Sequence, residues 1–350
     1  MLKPHITRNR QKDIIKNMHK MSKLTIQLPP KVDHDNTAEL IAALAPGRAH
    51  SGEVLVDMYD VTSYQPHAIC MLAAQLDYWN EKGAYVEIRQ RDGSDISKYL
   101  GKIGLLSNQY HTQTKQIDWR RSKDYVPIEV IENGSRPESV ADALAGSAAE
   151  KAGSDDEVRQ LIRYAVFEFL MNVKQHSQAA GFIMSQYYPK TGLYHIGVAD
   201  WGIGIRQSFL ESTSPFVKGM ENSDDAGWLD SAIRPKFSSK THLRNANGSR
   251  SDNHGVGLSI TRAFTRECLG RFQLVSQYGM LDHDFVTAMN EDKDEPKRAT
   301  MMEHSYNGVA CSITFNPTLF GNTTYQQLRR DVLNQLGLGG NESDLGLFGS

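Results

Sequence analysis

Glu168, Asn172 and His176 recur at steps of four within a stretch of helical periodicity. On a helix that spacing points a carboxylate and an amide oxygen the same way. The carboxylate can polarise a water while the amide oxygen ligates Mg²⁺, an ion that demands oxygen donors and keeps several of its waters. Polar residues at this spacing also simply face solvent. Asp200-Trp201-Gly202-Ile203-Gly204 follows an apolar run, so its carboxylate sits at a strand end. There it can accept a hydrogen bond from an adenine amino group, and the glycines let backbone approach a flat ring or a phosphate. A tight turn after a strand uses the same residues. His254-Gly255-Val256-Gly257-Leu258 opens the helical stretch SITRAFTREC. Free N–H groups at a glycine-rich helix start form an anion site suited to the ATP phosphates, with a glycine-lined cap as the plainer alternative.

The elements around these groups are legible. Ser154-Asp-Asp-Glu157 has the form of a capping box, and Leu161, Ile162, Ala165, Val166, Phe169, Leu170 and Val173 give the helix after it a wide apolar stripe. Two strands, GFIMSQYY and LYHIGVAD, turn around Lys190–Gly192, and the second ends on Asp200. From Ile205 to His254 runs a connection far longer than usual, which predicts a lid ordered by nucleotide. Within it Lys240, Arg244 and Arg250 are candidates to meet phosphates, although long basic side chains on loops are commonly just solvated.

Upstream, LTIQL, a helical stretch near Thr37–Leu44, EVLVDMYDV, an apolar helical pattern (Ile69, Leu72, Ala73, Leu76), AYVEIRQ and DISKYLGKIGLL alternate strand with helix. This favours a small sheet with helices packed on it. Polar Ser107–Asp124 and Gly/Ser/Ala-rich Asn133–Ser154 flank the strand-like YVPIEVIE and read as a connection between two units, with the boundary near residue 125. The expected organisation is a basic arm over 1–22, an α/β domain over 23–125, a linker over 126–153, a second α/β domain over 154–318 and a tail over 319–350.

Composition narrows the classes. A chain of 350 residues with 39% hydrophobic and 23% charged residues is a globular mixture long enough for two cores. It has no apolar run long enough for a membrane span and no apolar signal region, so the expectation is a cytoplasmic protein without a membrane partner. Cys70, Cys268 and Cys311 match no metal spacing and read as core residues. The net charge of -2 gives no global attraction to nucleic acid, and the basic arm reads as a solvated terminus.

In order, spacing and context the three motifs resemble the N box and the two glycine boxes of the GHKL ATPase superfamily, the histidine-kinase-like ATPase domain, over roughly Asp155–Pro317. Pro235-Lys-Phe-Ser-Ser-Lys240 looks like the Phe-x-Thr-Lys element of that family's lid, and Leu269–Ser276 like the strand after the second glycine box. The resemblance implies a two-layer Bergerat-type α/β sandwich holding ATP and Mg²⁺. Glu168 would be the general base, Asn172 the magnesium ligand, Asp200 the adenine reader, Gly202 and Gly204 its backing, and Gly255 and Gly257 phosphate contacts. His176, Lys240, Val256 and Leu258 would complete the nucleotide set. The chain departs from the family in showing no clear threonine contact on Gly308–Phe315, and no phosphoacceptor-histidine helix is evident upstream. Met280–Asn307 reads as a charged insertion.

Lys23–Gln109 resembles a STAS domain, the fold of anti-sigma-factor antagonists, which implies a docking or regulatory module. Gln65-Pro66 stands where phosphorylated members carry Asp-Ser, and Ser63 nearby reads as a helix cap. Together the resemblances imply an ATP-driven conformational switch that hydrolyses ATP to control a protein partner or a second subunit, a homodimer included. The alternatives are a serine/threonine protein kinase of the anti-sigma type and a non-hydrolysing ATP-gated binding protein.

Overall fold

The computed structural model describes residues 22–106, 124–132, 135–153, 156–212, 214–234, 237, 257–285 and 298–319, with 327, 330–331 and 334. The basic arm apart from Ser22, the start of the expected capping box (Ser154 and Asp155) and most of the tail lie outside them.

The chain is mixed α/β. In its first part β1 (Lys23–Gln27), β2 (Lys31–Val32), α1 (Thr37–Leu44), β3 (Glu53–Asp57), β4 (Ser63–Tyr64), α2 (Pro66–Glu81), β5 (Tyr85–Arg89) and α3 (Asp95–Lys102) follow one another. β1, β3 and β5 form a parallel sheet in that order, and β2 pairs with β4. In the second part come β6 (Tyr125–Ile131), α4 (Pro137–Ala152), α5 (Asp156–Asn172), β7 (Gly181–Tyr188), β8 (Leu193–Asp200), α6 (Gly204–Leu210), α7 (Asp225–Ala232), α8 (Gly257–Glu267), β9 (Arg271–Asp284) and β10 (Thr300–Phe315). These five strands make an antiparallel sheet in the order β6-β7-β8-β10-β9. Among the described residues no helix is long and apolar enough to cross a membrane.

Strand alternation divides this sheet between two cores. On one face Ile183, Ile196, Leu274, Ile313 and Phe315 pack with Leu144 and Ala148 of α4, Leu161 and Val166 of α5 and Ile260 and Phe264 of α8. On the other face Phe182, Met184, Ala199, Val275 and Ala310 share a core with α1, α2 and the inner residues Ile26, Val54 and Val56 of the parallel sheet. The result is four layers, with α1 and α2 trapped between the two sheets. That position explains α2, in which 13 of the 16 residues are buried: a helix covered on both sides has no solvent face.

The contact between α2 and β8 depends on one missing side chain. A Cβ on Gly197 would lie 2.3 Å from the His67 backbone nitrogen and 2.4 Å from the Pro66 carbonyl carbon, and the Cys70 thiol donates to the Gly197 carbonyl at 3.2 Å. Gly197→Ala must therefore push a helix terminus off the sheet. It is expected to cost about 3 kcal/mol in urea denaturation, at the upper end for overpacking. An unchanged midpoint would contradict so close an approach.

Several expectations are revised. The stretch read as a linker, 126–153, supplies most of the edge strand β6 and the whole of α4. Ser63 is exposed in the β2–β4 pair and does not cap α2; Gln65 occupies the cap position without a side-chain bond, and Pro66 follows at the first helical position, where its missing N–H costs nothing. The first half of the expected lid is fixed structure, since α6 and α7 pack Phe209, Trp228 and Phe237 into an aromatic cluster with centroids 4.5–6.2 Å apart. Both ends of the expected insertion over 280–307 belong to the β9–β10 hairpin, in which Thr300 pairs with Met280 and Tyr306 with Gln277.

Candidate functional site

α5 carries the first motif. Its last turn widens into a π-helical segment, Val173–Ser177, closed by Gln178 at φ 61°. Such turns re-aim side chains and recur at functional sites. The step from Asn172 to His176 therefore differs from the regular four-residue step read from the sequence, yet both residues line the same cavity.

That cavity, of about 110 Å³, lies between the end of α5, the Asp200–Ile205 turn, α6 and the start of α8. Asn172, His176, Asp200, Gly204 and Leu258 all line it, so segments far apart in the chain converge there as the motifs require. Its walls are mainly apolar, with Phe169, Val198, Phe209 and Val309 among them, and its polar groups are few. A slot of this kind suits a flat heteroaromatic ring oriented by a small number of hydrogen bonds.

Asp200 is 3% exposed. Burial pushes its carboxyl up to about 6, opposed by hydrogen bonds from the Gly202 N–H (2.8 Å), the Ser177 hydroxyl and the Val309 N–H. Space for it comes from Gly308, at φ +90°, where a Cβ would come within 2.2 Å of the Asp200 carbonyl oxygen. The Tyr306 hydroxyl donates to that same oxygen at 3.1 Å.

The glycines of the motifs serve the protein's own packing. A Cβ on Gly202 would fall 1.9 Å from the Ser177 carbonyl oxygen, so Gly202 lies over the π-helical segment. Gly204 has φ +76° and abuts Ser276 and Gln277. A Cβ on Gly257 would meet Glu168 Oε2 at 2.3 Å, which brings the Glu168 carboxylate to the N-terminus of α8. Half-buried Glu168 is raised to about 7 by desolvation, against a hydrogen bond from the Tyr164 hydroxyl. His176 Nδ1 lies 3.1 Å from Ser208 Oγ.

Lys240, Gly255 and Val256 lie outside the described residues, as do Arg244, Arg250 and His254. Of the lid element resembling Phe-x-Thr-Lys, Phe237 is described and lines the cavity. No threonine from β10 reaches the site: Val309 and Cys311 line it, whereas Thr314 faces His34 on the other side of the sheet at 3.4 Å. Sequence reasoning missed Ser177, Ser208, Val309 and Cys311. Alternation along β10 offered a faint signal for the last two, and the π-helical segment gave none for Ser177.

Comparison of the chain with protein-family models, with curated proteins and with solved structures finds no match.

Proposed function

We propose that this cavity binds the adenine of Mg-ATP in a Bergerat-type sandwich, and that the chain is an ATP-dependent switch that hydrolyses ATP to control a protein partner or a second copy of itself. The observation that carries this reading is the meeting of Asn172, Asp200 and Leu258 around one apolar cavity. Asp200, at the cavity wall, can accept from an adenine amino group. Glu168 stands at the start of α8, where a group near 7 is suited to take a proton from water.

Magnesium fits the donors present. Asn172, on the cavity wall, offers one amide oxygen. Mg²⁺ uses few protein ligands, with waters and phosphate oxygens supplying the rest. When bound it would neutralise charge on the phosphates; Asn172 would hold it and Glu168 would orient and deprotonate the attacking water.

The STAS-like reading of the first part makes that unit the regulatory one. The same base could equally serve a serine or threonine hydroxyl, so incubation with labelled ATP and candidate partners distinguishes transfer to protein from release of free phosphate.

Thermal denaturation tests the binding claim. A ligand that binds only the folded chain stabilises it by about 2.7 kcal/mol at a hundred times its Kd, so saturating Mg-ATP is expected to raise Tm by several degrees. Asp200→Asn, which presents an amide where an acceptor carboxylate is needed, is expected to lose most of that shift. No shift in the native protein would remove the basis for the reading.

A further inference from the structure

We infer that Asp77 is a positioning residue for the nucleotide site, through which the first unit of the chain sets the affinity for adenine nucleotide. The inference rests on the ATP-binding reading above. Trp201 lies inside the adenine-reading turn, between Asp200 and Gly202, and its indole points away from the cavity toward α2. Its Nε1–H donates to Asp77 Oδ2 at 2.7 Å, and its ring meets Tyr78 edge to face at 5.6 Å. Asp77 is 4% exposed, so this charge-assisted bond is shielded from water.

The other supports of the turn come from the second unit itself. Ile203 N–H donates to the Ser177 carbonyl at 3.0 Å, Ile205 N–H to Ser276 Oγ at 2.9 Å, and the Ser276 hydroxyl donates on to the Gly308 carbonyl at 3.1 Å. Trp201 is thus the point where the turn is held from the first unit. The hold continues outward: the Tyr78 hydroxyl donates to the Arg48 carbonyl at 2.9 Å, and the Arg48 guanidinium bonds Ser305 next to Tyr306, whose hydroxyl holds the Asp200 carbonyl. Asp200 and its turn are therefore clamped from two sides by contacts that run through α2 and the segment after α1. A shift of α2 against the sheet would move the turn and with it the carboxylate that reads adenine. Asp77 touches no ligand, so its effect is on geometry and affinity and not on the chemical step.

Titration of Mg-ATP against the full chain, with steady-state turnover, tests this. Trp201→Phe keeps the ring on Tyr78 but removes the donor, and Asp77→Ala removes the acceptor. Each is expected to weaken Mg-ATP binding about tenfold, seen in KM with kcat little changed, as for loss of a hydrogen bond to a charged group. Asp77→Asn retains an acceptor oxygen and should bind within about threefold of the native chain, a rescue that general loss of structure would not give. The Asp77→Ala, Trp201→Phe double variant should be no weaker than either single one, because both remove the same contact. If Asp77→Ala does not fold, Trp201→Phe beside Asp77→Asn still decides. Native-like binding by Trp201→Phe, or additive losses in the double variant, overturns the positioning role while leaving the ATP site intact. Absence of Mg-ATP binding by the native chain is a different result, which overturns both.

Discussion

Glu168→Gln is expected to reduce ATP turnover by about 10²–10⁴-fold while leaving Mg-ATP affinity within about twofold, the signature of losing a general base and not a binding group. The carboxyl lies at the start of α8, apart from Asp200 at the cavity wall, so the substitution leaves the groups proposed to read adenine in place. Burial raises the group to about 7. The base works only when deprotonated, so turnover at saturating Mg-ATP should rise with pH on a limb near 7, and the Gln variant should lack that limb. Asp200→Asn supplies the contrasting outcome, with affinity lost first. Phosphate release measured from pH 5.5 to 8.5 in both variants checks the pair of roles. Equal turnover of the native and Gln chains would remove Glu168 from the chemistry.

Which parts of this arrangement could be read from the sequence follows from the kind of signal each carries. The stripe Leu161, Ile162, Val166, Phe169 and Leu170 has helical period and became one face of α5; the strands before Asp200 became β7 and β8. That Asn172, Asp200 and Leu258 line one cavity was foreshadowed by the motif spacing that singled them out. α4 was hidden because its inner face carries Ala141, Ala145 and Ala148 around a single Leu144, and small residues let it lie close to α5 but read as a linker. The outer end of β10 was hidden for the opposite reason: from Thr300 to Ser305 most residues are exposed, so no buried face marks a strand.

The deepest burial was also the least visible. His67 and Asp77 give α2 a polar look, yet both are buried, because their partners lie on other elements. Thr37 Oγ1 lies 3.0 Å from His67 Nε2 and donates to Gln273 Oε1 at 2.8 Å, and Trp201 reaches Asp77. A polar residue at an interface carries no local sign of the neighbour that satisfies it. Four layers sharing α1 and α2 were therefore not legible, although each sheet's strands largely were.

The same polar seam has a consequence for acid stability: between pH 7 and pH 5 the native chain should keep a nearly constant stability, and below pH 5 lose it with growing slope, reaching about 2 kcal/mol per pH unit near pH 4. His34, His67 and His195 meet between the sheets with ring centroids 4.8 and 5.9 Å apart. Burial holds His34 and His195 down to about 3 and His67 well below 6.5; the neighbouring imidazoles and Arg271 add to this, and Asp33 opposes it at His67. Only the unfolded chain takes up these protons, so their contribution is complete above 6.5 and declines as pH falls. Three carboxyls, buried Asp200 and half-buried Glu129 and Glu168, act in the opposite sense. Desolvation raises Glu129 and Glu168 to about 7 and Asp200 to about 6, so the folded chain takes up their protons first and gains stability as pH falls toward the ordinary 4.5 and 3.8. From pH 7 to 5 about two to three protons balance on each side; below that the unfolded carboxyls titrate too, and near pH 4 about two uncompensated imidazole protons remain. Glu129→Gln removes one compensating group outside the cavity. Its stability should fall more steeply than the native chain's between pH 6.5 and 5, by up to about 1.4 kcal/mol per pH unit, the value of one proton. Urea denaturation at pH 7.5, 6.5, 5.5, 4.5 and 4 reads both slopes. Parallel curves for the two proteins would show that the Glu129 carboxyl is not raised, and a native chain as stable at pH 4 as at 6.5 would show that the imidazoles are not held neutral at this seam.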